Sequence, residues 1–250
     1  MELLHGLMNK NRRKSLKISS YLLYIYITIL ILTDMKYKDF DGDLKYEMSR
    51  LKDAETCIKS MYPGVYNEFE YMDWNDEYGR AMQRADIDWL ASRSGTVGCE
   101  PISLKFRSKT YPIRDVAVEV YSDFKKDGDP GNVEGSALKS MATSCLYLNE
   151  KFGLMYDAFK MKRVLLCIQK DIHNIKFDEL DYKDFGDGVY STTTDIILGG
   201  KNYKGMRVFK TQNRRIDESG REYYWTTVAL AFPLSFFKDA NINYNVIQYK

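Results

Sequence analysis

The sequence predicts a mixed β-sheet flanked by helices, an α/β (α+β) class. Three observations carry that expectation. An apolar stripe at three- and four-residue steps begins near residue 44, three short stretches between 87 and 121 alternate apolar and polar residues, and an unbroken apolar run occupies 164–168. The first pattern is that of an amphipathic helix, the second of half-buried strands, the third of a strand covered on both faces.

The elements follow in chain order. In residues 1–34, Arg12, Arg13, Lys14 and Lys17 precede an apolar run at 21–32. A basic flank before an apolar stretch suggests an export signal or a membrane anchor. The run falls short of the roughly 20 residues that span a bilayer, and Thr33, Asp34 and Met35 offer no small-residue cleavage site. Three readings stand: Met35 is the true start, 21–32 is a short membrane-associated helix, or the segment is an export signal. From Met35 the remainder, 35–250, reads as a single domain without internal repeats.

Asp43 can cap a helix in which Leu44, Met48, Leu51, Ala54, Ile58 and Met61 share one face, stopped by Pro63 and Gly64. An aromatic and acidic passage at 65–78 is expected to pack under the sheet. Strands are expected at 87–91, 102–107 and 116–121, with Gly95 and Gly98 turning between the first two. The breaker at 127–132 precedes an expected helix from Val133 to about Glu150, with Val133, Ala137, Met141, Cys145 and Leu148 on one side. A buried strand follows at 164–168, and 207–210 and 223–231 are strands around the turn Glu218-Ser219-Gly220.

Composition narrows the chemistry. The net charge is +2, so nucleic-acid contact requires a local basic patch and not a global field. Cys57, Cys99, Cys145 and Cys167 form no C-x-x-C pair, which fits reduced thiols in a cytoplasm and gives no zinc spacing. With only His5 and His173 present, a histidine hydrolase would rest on His173. Carboxylates and lysine are the expected tools. Two tempting motifs fail: Asp39, Asp41, Gly42 and Asp43 misplace the calcium-loop glycine and put Arg50 where a bidentate acid belongs, and Gly128, Gly131 and Gly135 lack a following Gly-Lys-Ser/Thr.

Parity assigns faces within the three strands. Asp86 and Asp88 oppose Ile87 and Trp89; Ser103, Lys105 and Arg107 oppose Ile102, Leu104 and Phe106; Asp115, Ala117, Glu119 and Tyr121 oppose Val116, Val118 and Val120. If the three strands pair in one sheet, Asp88, Lys105 and Glu119 converge on one side. Two carboxylates and a lysine so placed suit metal-assisted phosphodiester hydrolysis. The acids hold Mg²⁺ or Mn²⁺, while the amine orients water and stabilises developing negative charge.

The segments Gln83-Arg84-Ala85-Asp86-Ile87-Asp88, Ile102-Ser103-Leu104-Lys105-Phe106-Arg107 and Asp115-Val116-Ala117-Val118-Glu119 resemble a PD-(D/E)xK nuclease of the sort found in phage genomes. The resemblance covers Gln83 to about Leu148, and the last hundred residues match only loosely. It implies a restriction-endonuclease-like core and a cytoplasmic, metal-dependent enzyme acting on DNA. It makes Asp88 a metal-binding acid, Lys105 the catalytic lysine and the Leu104 backbone carbonyl a further metal ligand. Ser103 stands where the triplet acid belongs, and a hydroxyl is a poor replacement. Glu119 on the adjacent strand is the expected substitute, Glu100 a weaker one. If neither compensates, the scaffold is a non-catalytic nucleic-acid- or protein-binding module.

Arg107, Lys109 and Arg114 flank the expected site and can meet substrate phosphates, although charge at a sheet margin is more often solvation or edge protection. Arg214 and Arg215 offer a second phosphate contact, or a solvated loop. Tyr223, Tyr224 and Trp225 can stack on bases, or serve as core and edge cover. Glu47 or Glu55 can complete a metal site, or form helix-surface ion pairs.

Overall fold

The computed structural model describes residues 38–73, 76–107, 112–217 and 219–250. The segment 1–34, its apolar run and Lys109 therefore lie outside the described residues. Residues Tyr37–Lys250 form one compact unit. No helix among the described residues is long and apolar enough to cross a membrane.

The chain begins with β1 (Lys38–Asp39), α1 (Phe40–Ser49) and α2 (Leu51–Met61). Where the sequence suggests one helix from Asp43, the structure has two, separated at Arg50. The buried Arg50 guanidinium donates to Asp53, to the Tyr46 and Tyr249 hydroxyls and to the Asn149 carbonyl. The break itself is in the backbone, where Arg50 takes φ −104° and ψ 2°. The predicted apolar face survives in α2, where Ala54, Cys57, Ile58 and Met61 are buried.

The passage expected merely to underlie the sheet contains β2 (Tyr66–Tyr71) and leads to α3 (Glu77–Arg84), N-capped by Asp76, which accepts from the Gly79 N–H at 2.6 Å. Then come β3 (Trp89–Arg93), β4 (Cys99–Phe106) and β5 (Asp115–Asp123), close to the predicted positions. Gly95 and Gly98 take φ values of 75° and 122° in the turn between β3 and β4.

Beyond the breaker, the expected helix from Val133 is overturned. The segment is β6 (Val133–Glu134), a single turn α4 (Ser136–Lys139) and β7 (Ser144–Leu148). The four-residue spacing imitated a helix, but Cys145, Leu146, Tyr147 and Leu148 are all buried, as in a strand packed on both faces. After β8 (Phe152–Asp157) the expected strand at 164–168 is instead the end of α5 (Ala158–Cys167). The Asp157 carboxylate caps it, accepting from the Lys160 N–H at 2.7 Å, and Ala158, Met161 and Leu165 form its buried face. Short apolar runs do not by themselves distinguish the two periods.

The remainder is α6 (Gln169–His173), β9 (Tyr182–Asp184), β10 (Val189–Thr192), the small pair β11 (Ile197–Leu198) and β12 (Lys201–Asn202), the hairpin β13 (Arg207–Ile216) and β14 (Glu222–Pro233), α7 (Leu234–Asp239) and β15 (Tyr244–Gln248). The expected strands at 207–210 and 223–231 are present and longer than the alternation suggested.

Two sheets organise these elements. The first runs β15-β8-β7-β4-β3-β2, antiparallel except where β4 and β7 pair in parallel. The second runs β6-β5-β14-β13-β10-β9, with β1 parallel to β13. The predicted pairing of three strands in one sheet is thus corrected: β3 and β4 pair, while β5 belongs to the second sheet against β14. One face of the first sheet, with Trp89, Ile102, Leu104, Leu146 and Leu148, packs on Ala54, Cys57 and Ile58 of α2. A larger core runs from Tyr147, Leu154 and Tyr156 of that sheet to Val118, Leu230 and Phe232 of the second.

Candidate active site

The parity read from sequence holds in β4: Ile102 and Leu104 enter the core against α2, leaving Ser103 and Lys105 on the opposite side. On that side lies a cavity of about 300 Å³ whose lining includes Glu47, Asp86, Lys105, Glu119, Ser136 and Tyr147. Strands of two different sheets therefore deliver Lys105 and Glu119 to one space. Lys105 and Glu119 meet across the gap between two sheets and not within one, and Asp88, expected with them, is not part of the lining.

Asp86, which strand parity placed on one face with Asp88, lies elsewhere than expected. It is not in a strand at all but follows α3 in the left-handed region, φ 57°. Its N–H donates to the Gln83 carbonyl and the Ile87 N–H to the Met82 carbonyl, each at 3.0 Å. This is a Schellman ending, with aspartate where glycine is usual and the buried Ile87 following it. The turn directs the Asp86 carboxylate to the Lys105 amine, which donates to it at 2.7 Å. The side chains of Asp86 and Lys105 keep 11% and 38% of their exposure, so the pair borders the cavity with the amine the more open partner.

Asp88 lies behind this pair. Its carboxylate accepts from the Leu104 N–H at 2.7 Å, with the Ser103 hydroxyl at 3.5 Å. Ser103, fully buried, therefore stands beside the acid that the triplet residue would have joined. The N–H and C=O of a strand residue point to the same side, so the Leu104 carbonyl faces the Asp88 edge of β4. Burial pushes the Asp88 carboxyl above its ordinary range, and the negative Asp86 adds to this against the opposing pull of Lys105. For Lys105, burial opposes the charge, but Asp86 and Asp88 together hold the ammonium well above the usual lysine range.

Glu119 projects from β5 and accepts from the Ser136 N–H at 3.0 Å. Its carboxyl too is raised by burial, against the Ser136 N–H and the charge of Lys105. The loop that supplies this donor is held close by Gly135, where a Cβ would fall 2.2 Å from the Glu119 carbonyl oxygen. Glu47 of α1 completes the acidic lining. Burial, then the neighbouring charge of Asp88, raise the Tyr71 phenol, and Glu47 contributes to the same shift. Glu55, by contrast, pairs with Lys59 on the exposed side of α2.

The expected phosphate contacts divide. Arg107 is committed internally: it donates to the Tyr147 hydroxyl at 2.6 Å and to Asp115 at 2.7 Å, and lies 4.7 Å above the Tyr147 ring. It joins the end of β4 to the start of β5 and so braces the two sheets. Arg114 is exposed. Glu100 points to the opposite end of β4, where Tyr66 and Ser144 hold it, and is no substitute for the missing acid. Arg214 pairs with Glu222. His173 stacks on Tyr121 and is no part of the cavity lining. All four cysteines are free thiols, and burial raises Cys145, which lines the cavity, to about 12.

As donors for Mg²⁺ or Mn²⁺ the cavity presents carboxylate oxygens, the chemistry those ions select, and one or two carboxylates suffice because the ions retain water. Among the described residues no three His, Cys, Asp or Glu side chains stand together at metal-holding positions. Asp86 is engaged by Lys105, while Glu119 in the lining and Asp88 just behind it each accept a backbone N–H, from Ser136 and from Leu104, and a two-carboxylate arrangement is the one that fits. Compared with models of protein families, with curated proteins and with solved structures, the chain matches none.

Proposed function

We propose that this chain is a divalent-metal-dependent nuclease that hydrolyses phosphodiester bonds of DNA, built on a restriction-endonuclease-like core of the PD-(D/E)xK type. The observation that carries the reading is the Lys105 ammonium held at a cavity wall that the carboxylates of Asp86, from the turn after α3, and Glu119, from β5, also line. Lys105 supplies positive charge where a phosphate gathers negative charge, and an ammonium in that place orients an attacking water. Asp88 and Glu119, with the Leu104 carbonyl on the same edge, are the donors for Mg²⁺ or Mn²⁺. Asp86 joins them because it shares the amine and the cavity. The bound ion supplies a water of lowered pKa and neutralises charge on phosphate oxygens. Arg114 and Lys109 follow β4 in the chain and are the proposed backbone contacts, whereas Arg107 acts through the Tyr147–Asp115 brace. The setting proposed is the cytoplasm of a bacterium or a phage-infected cell.

A second reading, a non-catalytic nucleic-acid- or protein-binding module on the same scaffold, draws on two observations. Ser103 occupies the acid's place, and the Lys105 amine is already satisfied by Asp86. The two readings part on one experiment. The nuclease cuts plasmid or linear DNA with Mg²⁺ or Mn²⁺, stops with chelator, and loses at least about a hundredfold in rate on Lys105→Ala or Asp88→Asn. Binding of DNA without cutting under either metal selects the second reading. Full activity in Glu119→Gln removes Glu119 from the metal site even if the protein cuts.

A further inference from the structure

A second cavity, of about 620 Å³, crosses the far ends of the first sheet's strands. Its floor is centred on Glu100. The Tyr66 hydroxyl donates to one carboxylate oxygen at 2.7 Å, the Ser144 hydroxyl to the other at 2.6 Å, and the Arg93 guanidinium stands 3.8 Å away. With both oxygens occupied, this acid offers little to an incoming cation.

Besides Glu100, Arg93 and the capping Asp157, what the groove presents is largely aromatic and amide. Tyr62 lies edge-on to Tyr66 at 6.0 Å and is hydrogen-bonded to the Asn245 side chain, and Asn243 and Tyr244 continue the lining. Phe159, in the first turn of α5, is 59% exposed at the same groove. A phenyl group left that open in a helix whose neighbouring Ala158 and Met161 are buried is available to stack. Arg93 keeps 53% of its side chain exposed and supplies the groove's positive charge, paired at 3.8 Å with Glu100 and lying 5.6 Å over the Tyr66 ring. The N-terminus of α5 is not a rival anion site, because Asp157 already accepts from its Lys160 N–H. From Arg93 on β3 to Tyr244 on β15 the groove passes four strand intervals, about 19 Å, room for more than one nucleotide.

We infer that this groove binds an unpaired nucleotide of a single-stranded nucleic acid, its base laid on Phe159 and Tyr244 and its phosphate met by Arg93. The combination discriminates among ligands. A neutral sugar would not need the guanidinium, and an acidic peptide would not need the open rings. A duplex keeps its base faces stacked on each other, so only an unpaired base can meet an aromatic side chain in this way. The inference rests on the nucleic-acid reading of the first cavity and adds strandedness to it. The two spaces adjoin: Tyr156 lines both, and the successive residues Ala158 and Phe159 line one each.

The test uses the full chain in chelator and a fluorescent pentathymidylate, with an abasic deoxyribose-phosphate pentamer of the same charge as comparison. Base stacking predicts at least about tenfold tighter binding of the pentathymidylate and a loss of about tenfold on Phe159→Ala. Arg93→Ala weakens both ligands and reduces the salt dependence by about one phosphate contact. Equal binding of the abasic pentamer, or binding indifferent to Phe159→Ala, overturns the inference. DNA cutting with Mg²⁺ that persists while pentathymidylate ignores both groove variants overturns the groove alone. Groove binding without cutting under either metal supports the groove while rejecting the nuclease.

Discussion

Asp88 and Lys105 show how individual charges in the first cavity set measurable behaviour. Because burial raises the Asp88 carboxyl, the folded chain holds that proton to higher pH than the unfolded chain does. Its contribution to stability is full below the unfolded value near 4 and is lost as pH rises through the folded value. Asp88→Asn keeps an acceptor for the Leu104 N–H and removes the charge. The variant's melting temperature relative to wild type is therefore expected to rise between pH 4 and pH 7, read by thermal unfolding in chelator. Glu119 is raised in the same direction, so any metal binding through the two acids strengthens over the same pH interval. Lys105→Met leaves Asp86 without its cation. Full burial would make the loss about 3–5 kcal/mol, but the 38% exposure of the amine's side chain admits water and lowers the expectation to roughly 1–3 kcal/mol in denaturant unfolding. At this scale the sequence was informative about Lys105 and Glu119, whose faces follow from two-residue alternation in β4 and β5. It misplaced Asp86, read with Asp88 on one strand face, since a left-handed turn after α3 obeys no strand parity and the helix itself carries only a short, polar pattern.

The contact between α2 and β8 shows how closely elements are fitted around the first sheet. A Cβ on Gly153 would fall 2.1 Å from the Cys57 sulfur and 3.3 Å from Leu148. Gly153→Ala is expected to destabilise by about 1–3 kcal/mol through overpacking. Cys57→Ala removes the clashing sulfur, so the double variant should recover at least about 1 kcal/mol of that loss, a coupling that denaturant titration of the four proteins measures. Additive losses would refute the close approach. Element identity was legible where one signal dominated, as in the stripe of α2 or the alternation of β4 and β5. It failed in β7 and α5, where apolar runs of four or five residues fit either period. There the decision fell to tertiary partners: two covered faces for β7 and the Asp157 cap for α5.

For the molecule as a whole, the cavity's chemistry is shared between sheets that no hydrogen-bond ladder joins, apart from side-chain braces such as Arg107–Asp115. An ion held by Glu119 of the second sheet and an acid of the first therefore binds the folded chain and not the unfolded one. At a concentration ten to a hundred times its dissociation constant, Mn²⁺ or Mg²⁺ is expected to add about 1.4–2.7 kcal/mol. That corresponds to about 2–4 °C in melting temperature per kcal/mol for a chain of this size. Scanning calorimetry with and without chelator reads it, and Glu119→Gln should abolish the increment. An unchanged increment in that variant would place any bound ion elsewhere.

By itself the sequence determined a mixed α/β chain with a lysine and a glutamate on the polar faces of two strands, because side-chain alternation is a local property of the backbone. Only the tertiary structure decided that β5 leaves the first sheet, that Asp86 and not Asp88 meets the amine, and that a separate aromatic groove crosses the strand ends. Those outcomes depend on strand partners and on a helix-ending turn, which are settled by contacts between residues far apart in the chain.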